Sequence, residues 1–80
     1  MKARVTVTLK PGVLDPQGKA IEGALAALGF AGVASVRQGK VFDIELSETD
    51  KAKAAAALEA MAEKLLANTV IETYEVAVDG

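Results

Sequence analysis

The sequence predicts an α+β fold in which two helices cover one face of a four-stranded antiparallel sheet. Three observations support this. Apolar and polar residues alternate near the N-terminus, in the middle and near the C-terminus, two intervening stretches repeat apolar residues at helical spacing, and turn residues separate the segments. The predicted element order is strand, helix, strand, strand, helix, strand.

The first predicted strand leads into the most distinctive stretch of the chain, LKPGVLDPQGKAI. Residues 2–10 alternate, and proline and glycine at positions 11 and 12 then end the strand. Asp15 followed by Pro16 predicts a helix N-cap and first helical residue. Gly18 weakens the first turn of this helix, so we expect it to allow close approach of another backbone segment.

The central part predicts one helix and an antiparallel hairpin. The helix spans about residues 16–28, and Gly29 ends it in the left-handed conformation. Residues 33–37 form the predicted second strand and residues 41–46 the third, in which Phe42, Ile44 and Leu46 point inward. Residues 38–40 form the tight turn between them.

The C-terminal part predicts a second helix and a final strand. Residues 47–50 open the helix with a hydroxyl cap and acidic residues, and Asn68 follows its last turn. The strand covers residues 70–78, with Glu72 interrupting its apolar set. Glu72 either lies at the margin of the sheet, the interpretation we favour, or pairs with a cation on another chain.

This order with a central hairpin is the ferredoxin-like plan, here predicted as a single domain over residues 1–80. In the usual strand order, 4-1-3-2, the final strand lies at an edge and contains no proline, so it is open to pairing. A chain of 80 residues also buries a thin core. We therefore expect a partner chain to cover that edge, in a two-fold homodimer or a dimer of dimers.

Composition excludes several functions. The chain has no Cys and no His, so disulfides and the usual zinc or haem ligands are excluded. A net charge of -2 with 4% aromatic residues argues against nucleic acid binding. No apolar run has the length of a membrane helix and no signal-peptide pattern is present, so the expected location is the cytoplasm.

Motifs for catalysis are also missing from the sequence. Neither Ser35 nor Ser47 belongs to a nucleophile motif, and there is no phosphate-binding or dinucleotide-binding glycine pattern. We expect no catalytic residue, metal or cofactor in this chain. An accessory subunit is one possibility, and a small-molecule-sensing regulatory domain of the ACT type is the alternative, because such sites use backbone groups at subunit interfaces.

Four blocks in order resemble the PurS family, the small subunits of the three-part phosphoribosylformylglycinamidine (FGAM) synthase. The blocks are LKPGVLDPQGKAI, LGF, VRQGKVFDIEL and KLLANTVIETYEV. The resemblance implies a role in purine biosynthesis, as a subunit of an ATP-dependent, glutamine-using carbon–nitrogen ligase. It implies that the chain itself is non-catalytic and bridges a glutaminase subunit and a large synthetase subunit, which uses ATP and Mg, while assisting ammonia transfer.

We expect three segments to supply the contacts with these partner subunits: the joint after the first strand, the tip of the predicted hairpin, and the start of the final strand. The candidate residues are Asp15, Gln17, Gly18, Lys19, Arg37, Lys40, Asn68, Glu72 and Tyr74.

Overall fold

The computed structural model describes residues 1–79 as three strands, two α-helices and one π-helical turn. In chain order the elements are β1 (Lys2–Leu9), α1 (Pro16–Ala27), β2 (Gly39–Glu45), α2 (Lys51–Met61), the π-helical turn (Ala62–Leu66) and β3 (Glu72–Asp79).

The strands form one antiparallel sheet in the order β2-β1-β3. Val5 in the central strand lies opposite Phe42 on one side and Val76 on the other. Because side chains alternate across a strand, these residues share a face with Ala3 and Val7. The apolar face of the sheet is therefore centred on β1.

The core lies between this face and α2. Val5, Val7 and Leu58 are the largest fully buried side chains, and Ala54 and Ala62 also lie fully buried. Burying a side chain the size of Val or Leu contributes about 1.5–3 kcal/mol. With so few large side chains inside, a single copy of the chain has a small core.

The π-helical turn lets the end of the second helix remain packed on the sheet. The N–H of Ala67 donates to the carbonyl oxygen of Ala62, five residues earlier, over 2.9 Å. This wider turn brings Ala67 to the same side as Ala62, and both are buried. The chain then turns at residues 69–71 into β3.

The prediction of a four-stranded sheet is wrong. Residues 33–38 belong to no helix or strand and pair with no strand within the described part of the chain. The predicted hairpin cannot form, because Gly39 and Lys40 already belong to β2, opposite Thr8 and Val7. The other three strands have the relative order that was predicted.

The prediction that both helices cover the sheet is also wrong. α2 packs on β3, whereas α1 packs along no strand of the sheet described here. The molecule measures 48 × 25 × 14 Å and its radius of gyration is 15.9 Å. A compact chain of this length would have a radius of about 12 Å. α1 therefore extends the molecule, and its Leu28 side chain is 73% exposed.

The helix ends are mostly as predicted. Asp15 caps α1, and Gly29 follows it with a φ of +96°. For α2, the cap is the carboxylate of Asp50, which accepts from the N–H groups of Ala52 and Lys53, and not a hydroxyl. β3 starts two residues later than predicted. No helix within residues 1–79 is both long enough and apolar enough to cross a membrane.

Candidate functional site

Most of the candidate residues meet at one end of the sheet, where β1 ends, β2 and β3 begin, and α1 starts. We call this region the joint end. It is built around residues 9–19, 36–40 and 68–74. Each of these ranges contains candidate residues chosen from the sequence, and the fold places Leu9 opposite Glu72, 63 positions later in the chain.

Asp15 connects the start of α1 to the start of β2. One carboxylate oxygen, Oδ1, accepts from the N–H of Gly18 over 2.9 Å, and Oδ2 accepts from the N–H of Gln38 over 2.8 Å. The N–H groups of Gln38 and Gly18, together with the charge of Arg37, hold the pKa of Asp15 below its ordinary value of 3.8. At neutral pH the carboxylate is therefore ionised, and each of its oxygens accepts a hydrogen bond.

Arg37 ties the same segment to the end of β1. Its Nη2 donates to the carbonyl oxygens of Leu9 and Lys10, over 2.9 and 3.1 Å. These carbonyls belong to the last residue of β1 and the residue after it. Arg37 does not lie at a hairpin tip, since that hairpin does not exist; it anchors the extended segment instead.

Gly18 is buried where the extended segment crosses α1. A Cβ atom at this position would overlap the carbonyl oxygen of Val36 and the carboxylate of Asp15. The predicted close approach of another backbone is thus confirmed. It involves the chain's own residues 36–38.

Glu72 joins β2, β3 and the turn before β3. Its Oε2 lies 3.6 Å from Nζ of Lys40, and its Oε1 accepts from the N–H of Asn68 over 2.7 Å. Glu72 is the first residue of β3, so it lies at the margin of the sheet, and its cation belongs to the same chain. Its side chain is only 12% exposed, compared with 58% for Lys40.

Tyr74 joins β3 to the π-helical turn. Its hydroxyl donates to Oε1 of Glu63 over 2.8 Å. This hydrogen bond stabilises the protonated hydroxyl and so raises the pKa of Tyr74 above its ordinary value, an effect that desolvation and the charges of Glu63 and Glu59 reinforce.

Among the exposed candidates, the side chains of Gln17 and Lys19 take no part in the contacts between segments described above. Gln17 lines a small cleft of about 150 Å³ together with Asp15, Lys40 and Glu72. Lys19 lies on the neighbouring face of α1, where Nζ is 3.3 Å from a carboxylate oxygen of Glu22. These two side chains project from the joint end and are free to meet a large partner without breaking the contacts described above.

Sequence reasoning missed several residues that shape the site. Gln38 contributes only its backbone N–H, and Leu9 and Lys10 only their carbonyl oxygens, so their side chains carry no signal. The exposed apolar side chains of Leu65 and Val70, at 82% and 80%, were also missed. Their exposure depends on the π-helical turn and the turn after it, which the sequence pattern did not predict.

The polar contacts of the joint end connect backbone segments that are distant in sequence. Among residues 1–79, no group of three or more Asp or Glu side chains is arranged to hold a metal ion. Together these contacts hold the three segments against one another at one end of the sheet.

Comparison with known proteins identifies the family. The family model described as "PurS: Phosphoribosylformylglycinamidine (FGAM) synthase" matches residues 2–80. The chain belongs to the PurS family. The PurS subunit of FGAM synthase from Mycobacterium leprae is 49% identical over 76 residues, covering 94% of this chain and 91% of that relative. The PurS subunit from Synechocystis is also 49% identical, over 71 residues, covering 89% of this chain and 71% of that relative.

Solved PurS structures share the fold. Methanocaldococcus jannaschii PurS is 45% identical and superimposes with a TM-score of 0.89, covering 98% of this chain and 94% of that one. A chain in the Thermotoga maritima PurLQS structure is 34% identical with a TM-score of 0.87, covering 95% and 93%. Agreement over nearly the whole chain includes α1, so its extended position is a property shared with these PurS proteins.

Proposed function

We propose that this chain is the bridging subunit of an FGAM synthase complex in de novo purine biosynthesis. In this role it docks the glutaminase subunit to the ATP-dependent synthetase subunit and assists the transfer of ammonia between them. The observation that carries the proposal is the match over nearly the full chain to PurS subunits of FGAM synthase, together with the match to a chain of the PurLQS structure.

The chain contributes geometry to this reaction and no catalytic group. Ammonia released at one active site has to reach the next before it is protonated or lost, so a subunit that fixes the distance between two sites and excludes water raises the yield. The synthetase subunit uses ATP and Mg²⁺, and this chain binds no cofactor. The complex works in the cytoplasm.

The chain acts as a homodimer. α1 together with the extended segment after it, residues 16–38, forms what we call the arm. α2 covers β3, while the β2 side of the apolar face is only half-buried. The arm carries an apolar row that its own sheet does not cover. The half-buried residues on the β2 side are Phe42, Ile44 and Leu46, and the row on the arm consists of Ile21, Leu25, Leu28 and Phe30.

Exchange of arms between two copies buries both the apolar row on the arm and the β2 side of the sheet. The arm of each copy covers the β2 side of the other sheet, so the same pair of surfaces meets twice around a two-fold axis. The outer face of each sheet, which carries Thr6, Thr8 and Thr73, is then available to join two dimers. Burial of the exposed apolar row supplies the stabilisation that the small core of one copy lacks.

The dimer is tested by the mass of the chain in solution and by Leu28→Glu. This substitution places a charge in the exposed apolar row without touching the core, since Leu28 is 73% exposed. We expect the unmodified chain to have twice or four times the mass of one copy, and Leu28→Glu to be monomeric with unchanged helix content. A monomeric unmodified chain would exclude the dimer.

The bridging role is tested in a complex reconstituted with the glutaminase and synthetase subunits. Omission of this chain should abolish glutamine-dependent synthesis while ammonia-dependent synthesis continues. Two charge-changing variants at the joint end, Gln17→Arg and Lys19→Glu, should weaken assembly, because both side chains are exposed there. The control is Lys51→Glu, an exposed charge reversal at the start of α2, near the opposite end of the sheet.

Equal glutamine-dependent rates with and without this chain would contradict the bridging role. Equal effects of Lys19→Glu and Lys51→Glu on assembly would remove the joint end from the docking surface. Thermal stabilisation by a free amino acid or nucleotide, with no binding to the larger subunits, would instead support a small-molecule sensor.

A further inference from the structure

We propose that Asp15, Gly18 and Arg37 form a clamp that fixes the direction in which the arm leaves the sheet. By holding the arm away from its own sheet, the clamp ensures that a second copy, and not the chain's own α1, covers the β2 side. The consequence for assembly rests on the homodimer proposed above. The effect of the clamp on the direction of the arm is independent of the homodimer.

The clamp joins the start and the end of the arm where the arm meets the sheet. The two oxygens of Asp15 accept from Gly18, at the start of the arm, and from Gln38, at its end. α1 runs outward for 12 residues, about 18 Å, and residues 28–38 return to the same point. Both ends of the arm are therefore fixed to one carboxylate, and the arm moves only as a unit.

Arg37 fixes this unit to the sheet. Its guanidinium donates to two consecutive carbonyl oxygens where β1 ends, those of Leu9 and Lys10. Both hydrogen bonds come from Nη2, so they hold this nitrogen between the two carbonyl oxygens. Residues 10–15 and 33–38 belong to no helix or strand, so without the clamp they would serve as hinges.

Gly18 permits only one packing of the arm. The carbonyl of Val36 occupies the space where any side chain at position 18 would begin. A hydrogen atom at this position of α1 allows the two backbone segments to touch. The extended segment therefore crosses the helix at a fixed place.

The test separates the clamp from helix stability by comparing two glycines of the same helix. Gly18→Ala favours the helix but collides with the Val36 carbonyl and the Asp15 carboxylate, so it should open the clamp. Gly23→Ala also favours the helix and has nothing within 4 Å of the new methyl group. Asp15→Ala removes the clamp without adding volume.

Two measurements are needed. The first is the dissociation constant of the dimer, which we expect to rise at least about tenfold in Gly18→Ala and Asp15→Ala and to stay within about twofold in Gly23→Ala. The second is a distance within one chain between spin labels on Ala27→Cys and Glu75→Cys, both exposed positions in a chain without native cysteine. Mixing the labelled chain with excess unlabelled chain ensures that only distances within a chain are recorded.

The distance between the two spin labels should be long and single-valued in the otherwise unmodified chain, in which the clamp is intact. It should be the same in the chain that also carries Gly23→Ala. The Gly18→Ala and Asp15→Ala backgrounds should add a broad, shorter population as the arm swings. An unchanged distance in both would overturn the clamp, even if dimerisation were weaker. If the unmodified chain proves monomeric, the homodimer fails, and the distance measurement still decides the clamp.

Discussion

Asn68 and Glu72 are joined by two hydrogen bonds that run in opposite directions. The N–H of Asn68 donates to Oε1 of Glu72, and the N–H of Glu72 donates to the carbonyl oxygen of Asn68, each over 2.7 Å. The side-chain oxygen of Asn68 also accepts from the N–H of Val70 over 3.2 Å. Glu72 thereby sets the geometry of the turn from the π-helical turn into β3.

Glu72 should contribute more to stability than its ion-pair partner Lys40. We expect Glu72→Ala to lower the free energy of unfolding by about 1–2 kcal/mol, because it leaves the Asn68 N–H without its partner. Lys40→Ala should cost at most about 0.5 kcal/mol, because its ammonium group is exposed and the pair is long. Urea titrations at one protein concentration measure both. A larger loss for Lys40→Ala would show that the ion pair dominates.

Asp15 should make the protein sensitive to acid. Its pKa in the folded chain lies below the ordinary 3.8, so the stability it contributes is present above 3.8 and is lost as the pH falls through the lower folded value. Asp15→Asn should be less stable than the unmodified chain at neutral pH, and the difference should shrink with acidification. Unfolding midpoints measured across this pH range provide the check.

The control for acid sensitivity is Gly23→Ala, a change at an exposed position of α1 that adds and removes no ionisable group. Its stability curve should run parallel to that of the unmodified chain. An Asp15→Asn curve that also stays parallel, with no narrowing at low pH, would contradict the assigned role of the carboxylate.

Leu58 should be the most sensitive position of the core. Leu58 is fully buried between α2 and the sheet, and truncation to Ala should lower the free energy of unfolding by about 2–5 kcal/mol. Leu65→Ala removes the same atoms from a side chain that is 82% exposed, so it should change stability by less than about 0.5 kcal/mol. Thermal or urea unfolding of the two variants would refute the described core if their losses were equal.

Gly29 should resist substitution for conformational reasons alone. Its φ of +96° lies in the region that disfavours a side chain, while a methyl group at this position would meet no atom within 4 Å. Gly29→Ala should therefore destabilise the protein by about 1–2 kcal/mol. Gly29→Asn should cost less, since asparagine tolerates this region better. Equal losses in urea unfolding would point to a packing cause instead.

The local parts of the structure were predictable from the sequence. Alternation identified β1, and Asp15, Pro16 and Gly29 marked the limits of α1 because each acts on backbone groups within a few residues. The close approach of another backbone to Gly18 was also predicted, because the glycine weakens its own helix.

The nonlocal parts were not predictable. The strand predicted at residues 33–37 is absent, because a local pattern does not specify which strand, if any, lies alongside to complete a sheet. The sequence predicted that Asp15 caps α1. It did not predict the second hydrogen bond of Asp15, which the carboxylate accepts from the N–H of Gln38, 23 residues away. The position of α1 depends on the approach of residues 36–38 to Gly18 and Asp15, which no local pattern specifies.

A molecule only 14 Å thick has little interior to protect it. We expect a newly made copy outside the complex to open readily, and proteases digest opened chains first. Turnover of orphan copies would then keep the number of these subunits matched to the number of sites that can receive them, without a dedicated regulator.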